Sequence, residues 1–192
     1  MKSFYYRINA LVKLMNGTTQ PDDAVYDDYM PDYYNKSMVV FGCGNPLIGD
    51  DGFGPRVIQY YREHFDIPGH VCLLDVETSI RKVLFNIMLS DRKPSHIVII
   101  DAIDAGRHSG ELFTIDIDEF PENKIDDFSM HQLPTSNLLK ELRDFCNIRI
   151  TILSAQVEDI PDEVRPGLTP VMEQAVPLMC AQLSELIIAE NK

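Results

Sequence analysis

Long hydrophobic runs are missing from this chain of 192 residues; a stretch such as Ile97–Ile100 is only a few residues long. A bilayer-crossing helix needs about 20 consecutive apolar residues, so no membrane insertion is expected. Positive charge is scarce as well. Seventeen Lys and Arg face thirty Asp and Glu, a formal net charge of −13. A phosphate backbone demands the opposite sign, which argues against a nucleic-acid partner. Cysteine pairs are also lacking. Cys43, Cys72, Cys146 and Cys180 are scattered, with no C-x-x-C and no zinc-ribbon spacing. Such usage fits reduced thiols in a cytoplasm. No G-x-S-x-G elbow occurs, and nothing places a histidine beside Cys43, so a nucleophilic serine or cysteine is not indicated.

What is present is 45% hydrophobic and 24% charged residues, the balance of a globular domain. Residues 1–37 differ from the rest. Ile8, Leu11, Val12 and Met15 fall at helical spacing, and the segment from Pro21 to Tyr34 is acidic and tyrosine-rich. We read 1–37 as a poorly ordered N-terminal extension and 38–192 as a single α/β domain.

Beyond Ser37 strand and helix signals alternate. Strands are expected at Met38–Phe41, Val71–Leu74, His96–Ile100, Glu111–Ile117 and Arg149–Leu153. Helices are expected at Pro55–Phe65, Ser79–Leu89 and Leu133–Cys146, the last with Leu138, Leu139, Leu142 and Phe145 inward. A long final helix begins at Pro170, with Thr169 as its cap and a kink at Pro177. The fold predicted is a three-layer sandwich: a twisted, mostly parallel sheet of about five strands with helices on both faces.

In open α/β sheets ligands collect beyond the carboxyl ends of the strands. The turn Gly42–Gly52 follows the first strand and carries Asp50 and Asp51; Asp75 ends the second strand and Asp101 the central one. His131 follows a long loop. The turn resembles a dinucleotide fingerprint, but its third glycine position is Leu47, and two aspartates would repel a pyrophosphate. Asp51, Asp101 and His131 can instead converge as an O, O, N set for a divalent ion such as Ni²⁺, Zn²⁺ or Mn²⁺, with positions left open for water or substrate.

The segment Val39-Val40-Phe41-Gly42-Cys43-Gly44-Asn45-Pro46-Leu47-Ile48-Gly49-Asp50-Asp51-Gly52-Phe53-Gly54-Pro55 resembles the amino-terminal signature of nickel–iron hydrogenase maturation endopeptidases. Ile99-Ile100-Asp101-Ala102, Gly110-Glu111-Leu112, Ser129-Met130-His131-Gln132-Leu133-Pro134 and Gly167-Leu168-Thr169-Pro170-Val171 resemble later motifs of that family, in the same order, so the likeness covers about residues 38–188. The resemblance implies an endopeptidase that removes a C-terminal extension from a hydrogenase large-subunit precursor after nickel insertion. It implies that Asp51, Asp101 and His131 contact the nickel and carry the catalysis. The nickel is expected to arrive with the substrate, and the free enzyme to be a cytoplasmic monomer. Asp50, Asp75 and Glu77 are candidates to support the site from behind. Where the family often has Asp-Gly-Gly-Thr, this chain has Asp75-Val76-Glu77-Thr78, a departure that bears on the substrate groove. Alternatives are a metal-dependent α/β hydrolase such as an aminopeptidase, and a non-catalytic chaperone that senses nickel loading.

Overall fold

The computed structural model describes residues 31–118 and 136–190. The expected extension 1–37 lies almost wholly outside the described residues, as does His131. From Tyr33 onward the chain forms one compact unit.

Among the described residues there are five strands: β1 (Met38–Cys43), β2 (Val71–Glu77), β3 (His96–Ile103), β4 (Leu112–Ile115) and β5 (Arg149–Gln156). Four α-helices accompany them there: α1 (Phe53–His64), α2 (Ile80–Leu89), α3 (Ser136–Cys146) and α4 (Pro170–Glu190). The sheet order is β2-β1-β3-β5-β4. Neighbours run parallel except β4, which pairs antiparallel to β5 at the edge.

Every residue of β1 and β3 is buried, as a central strand covered on both faces requires. Alternate side chains feed two cores. Val40, Val98 and Ile100 meet α1 through Val57 and Ile58 and α4 through Val176 and Leu183. Val39, Phe41, Ile97 and Ile99 meet α2 through Ile80 and Leu84 and α3 through Leu139 and Leu142. The three-layer sandwich is therefore observed. The final helix is long and apolar enough, by length and composition, to cross a membrane, contrary to expectation. Its Met172, Val176, Met179 and Leu183 are nevertheless buried in the core against α1.

Several expectations need correction. Strands β1, β2, β3 and β5 each run two or three residues further than their apolar runs, because neighbour pairing continues past them. Asp101 therefore sits inside β3, opposite Ser154, and not at the strand's end. Phe145 was expected inward but is 85% exposed, since the buried stripe of α3 is complete with Leu138, Leu139 and Leu142. Helix α4 continues through Pro177. Thr169 does not act simply as its cap: the hydroxyl donates to Asp50 Oδ2 at 3.1 Å, while the carbonyl accepts from Glu173 N at 3.0 Å.

At the amino end of β3, His96 is fully buried, with Nδ1 2.6 Å from Glu190 Oε1 and Nε2 2.9 Å from Thr151 Oγ1. Burial, with Arg149 acting the same way, pushes its pKa down to about 4. This cluster joins β3, β5 and the end of α4 at the edge remote from the aspartate loops.

Helix α1 approaches the sheet closely only because residue 54 is glycine. A Cβ there would lie 2.2 Å from Cys43 O and 2.5 Å from Ile100 O, both backbone atoms that cannot swing aside. We predict that Gly54→Ala destabilises the fold by about 1–3 kcal/mol, the usual cost of overpacking. Urea unfolding followed by circular dichroism measures it; an unchanged midpoint would refute the close contact.

Candidate active site

The order β2-β1-β3 places a topological switch between β1 and β3, because the chain leaves β1 toward one side of the sheet and β3 continues on the other. Crevices form at such points, beyond the carboxyl ends of the strands. Asp51 comes from the loop after β1 and Asp101 from the last turn-ward residues of β3, so both reach this crevice.

The loop after β1 is held rigidly. Gly44 has φ +119°, and a Cβ on it would fall 1.7 Å from Asp51 O, so only glycine fits. Residues Gly49–Gly52 then make one short 3₁₀ turn that leads into α1. Asp51 is almost fully buried, and its Oδ2 accepts the backbone N–H of Asn45 at 2.7 Å.

Asp50, the first acid of the pair, has a different job. It is fully buried, and its carboxylate accepts from Glu158 N at 2.9 Å, Asp159 N at 2.9 Å, Thr169 N at 2.7 Å and Thr169 Oγ1 at 3.1 Å. Backbone bonds Gly49 N to Arg165 O and Arg165 N to Leu47 O, both 2.9 Å, add to this stitching. Asp50 thus clamps the glycine loop to the β5–α4 loop, and its oxygens face protein donors in place of the crevice. Its partners lie more than a hundred residues away, so no local signal in the chain announces the role.

Asp101 is 1% exposed. Its Oδ1 accepts Ala102 N at 2.9 Å, whereas Oδ2 has no hydrogen-bond partner among the described residues. Burial raises its pKa well above the carboxylate range, and the nearby charge of Asp51 raises it further. Two carboxylates that repel each other in a buried crevice are a place where a cation gains. Cys43 is buried beside them. Desolvation, then Asp101, Asp75 and Asp51, push its thiol up, so it is no thiolate nucleophile.

The supporting candidates divide. Asp75 Oδ1 accepts Glu77 N at 3.0 Å and so shapes the end of β2. Glu77 has φ +45°, the left-handed conformation that glycine adopts without strain, and its carbonyl accepts Gly44 N at 3.1 Å. The backbone therefore keeps a glycine-like shape despite the side chain. Gln156 went unnoticed in the sequence. Its Oε1 accepts Ala105 N and Arg107 N at 2.8 and 3.0 Å, while Nε2 donates to Asp104 Oδ1 and Val157 O at 3.0 Å each. It fixes the loop after β3. An open groove of about 520 Å³ borders the glycine loop, lined in part by Pro46, Gly52, Pro55, Arg62, Asp75 and Leu168. No group of three or more His, Cys, Asp or Glu able to hold a metal occurs among the described residues. Asp51 and Asp101 alone form at most part of a ligand set.

Known proteins resemble this chain in sequence and fold. The family model for hydrogenase maturation proteases matches residues 55–186, more than half of the chain. A sequence from Methanocaldococcus jannaschii, whose own name of hydrogenase maturation protease is a provisional one, is 33% identical over 159 residues, covering 82% of this chain and 97% of that protein. The coenzyme F420 hydrogenase subunit delta of Methanothermobacter thermautotrophicus is 30% identical over 148 residues, covering 75% and 90%. Among solved structures, the hydrogenase-maturating endopeptidase HybD from Escherichia coli superposes with a TM-score of 0.65 at 25% identity, covering 80% and 93%. Fold and crevice define an α/β peptidase. The chain belongs to the hydrogenase maturation protease family.

A raised folded pKa means that Asp101 holds its proton in the folded state at pH values where the unfolded chain has lost it. Folding is therefore favoured by acid and loses this contribution as pH rises above about 3.8, the unfolded value. Asp101→Asn should raise the melting temperature at pH 7.5 in chelator-treated buffer by roughly 2–4 °C, the effect of about 1 kcal/mol in a chain of this size. The gain should shrink at pH 4.5; a lowered melting temperature at both pH values would contradict the assignment. Asp50→Ala, in contrast, strands several buried donors and should destabilise by about 3 kcal/mol or more, measured by urea unfolding.

Proposed function

We propose that this peptidase removes the C-terminal extension of a nickel–iron hydrogenase large-subunit precursor once nickel has been inserted, and that it reads the bound nickel through Asp51, Asp101 and His131. The observation that carries the reading is the pair of buried carboxylates at the switch point, one of them with an oxygen that no described residue satisfies. The nickel is part of the substrate. A protease supplying only two carboxylates and one imidazole holds the free ion weakly, so cleavage waits for a precursor that supplies the remaining ligands.

In this reading the chain's residues do three things. Asp50 and Gly44 hold the loop so that Asp51 faces the crevice. Asp101, relieved of its repulsion by the incoming cation, becomes a full carboxylate ligand. The groove beside Pro46, Pro55 and Leu168 receives the extended chain that leads to the cleavage point. Bound nickel would polarise the scissile carbonyl or lower the pKa of an attacking water. Neither step asks for a nucleophilic side chain. Reduced thiols fit a cytoplasmic location, and the free enzyme is read as a monomer.

The test is incubation of the purified protein with nickel-loaded and nickel-free precursor, followed by intact-mass measurement. The loaded precursor should lose its C-terminal peptide and the nickel-free one should not; equal cleavage of both would sink the reading. Asp51→Asn, Asp101→Asn and His131→Ala should each leave the circular dichroism spectrum intact and slow processing by at least about 100-fold. Normal processing by two of the three would remove the site assignment.

A further inference from the structure

A second buried oxygen stands next to the site. Ser154 is completely buried, and its hydroxyl has no hydrogen-bond partner among the described residues. It lies on β5 directly opposite Asp101 on β3. Cross-strand partners in a parallel pair point to the same face, and the two strands are about 4.8 Å apart. The flanking positions agree: Ile99 and Ile103 beside Asp101, and Ile152 beside Ser154, all enter the same core. Asp101 and Ser154, each with one unsatisfied polar atom, therefore stand on neighbouring strands and face the same core.

Leaving a buried polar atom unpaired costs about 1–3 kcal/mol, so two such groups on neighbouring strands gain by pairing. The nearest polar groups on the two strands are already engaged. Asp101 Oδ1 takes Ala102 N, and Gln156, two residues on along β5, has both ends of its amide engaged. Ser154, directly opposite Asp101 on β5, carries an unengaged hydroxyl that can donate to Oδ2.

We propose that Ser154 is a positioning residue of the nickel-reading site: its hydroxyl donates to Asp101 Oδ2, by rotation about χ1 or through one bridging water, and so fixes which lone pairs of that carboxylate face the divalent cation. The inference rests on the reading of Asp101 as a cation contact. Ser154 does not touch the cation; it acts through Asp101. A hydrogen bond to one carboxylate oxygen holds the plane of the group, and loss of such an outer partner typically costs about 10–100-fold in metal affinity.

The experiment uses the full-length protein, Ni²⁺ alone as the probe, and isothermal titration calorimetry at pH 7.5. Ser154→Ala should weaken the Ni²⁺ affinity by about 10-fold while its melting temperature falls by no more than roughly 2–4 °C, the effect of losing one buried hydrogen bond in a chain of this size. Ser154→Thr, which keeps the hydroxyl, should bind within about twofold of the natural protein. An affinity unchanged in Ser154→Ala, with binding lost in Asp101→Asn, overturns the role of Ser154 and leaves the site reading standing. Unchanged affinity in Asp101→Asn, or no binding by the natural protein up to millimolar Ni²⁺, overturns both. A Ser154→Ala protein that melts well below the natural one yet keeps its affinity marks a purely structural serine, and this too ends the proposal.

Discussion

Two buried carboxylates share one crevice, near enough that the charge of Asp51 raises the pKa of Asp101, and the rest of the molecule is arranged to keep them there. Asp101 alone, buried in the middle layer, already disfavours its charged form, and Asp51 beside it makes matters worse. A chain selected only for stability would place an amide or an aliphatic residue at one of these positions. The loop after β1 instead forces the encounter. Gly44 brings the backbone against Asp51, Asn45 N grips the carboxylate, and Asp50 anchors the turn to a loop from the far end of the chain. Local destabilisation of this kind marks sites where a ligand supplies the missing compensation.

That compensation also makes the chemistry conditional. Under the proposed function, two carboxylates with no metal-holding cluster among the described residues would make only part of a coordination sphere. A partial sphere would discriminate well between a loaded and an empty partner, since the cation would join two incomplete halves. The rigid framing by Asp50 and Gln156 serves the same end, because a loosely held carboxylate would collapse onto any passing donor.

The layered fold was largely legible in the chain. Alternating apolar runs and helical stripes located each described strand and α-helix to within a few residues, and the unbroken apolar run of β3 marked the buried centre of the sheet. Asp51 and Asp101 were visible as acids beyond strands. What the chain could not reveal is long-range pairing. The roles of Asp50 and Thr169 depend on a contact across 119 residues. Ser154 acquires meaning only from its place opposite Asp101. Phe145 satisfies helical periodicity yet faces outward, because periodicity does not say where the buried stripe stops. Glu77 shows the reverse case: a backbone shape that glycine adopts without strain is held by a residue with a side chain.

The most direct test of the central claim looks at the metal itself. X-ray absorption at the nickel K-edge would be recorded on a nickel-loaded, cleavage-resistant large-subunit precursor, alone and in complex with this protein. Our account requires that complex formation add oxygen or nitrogen neighbours at about 2.0–2.2 Å, and that Asp101→Asn reduce that gain. A nickel spectrum unaltered by the protein would show that Asp51 and Asp101 never meet the ion.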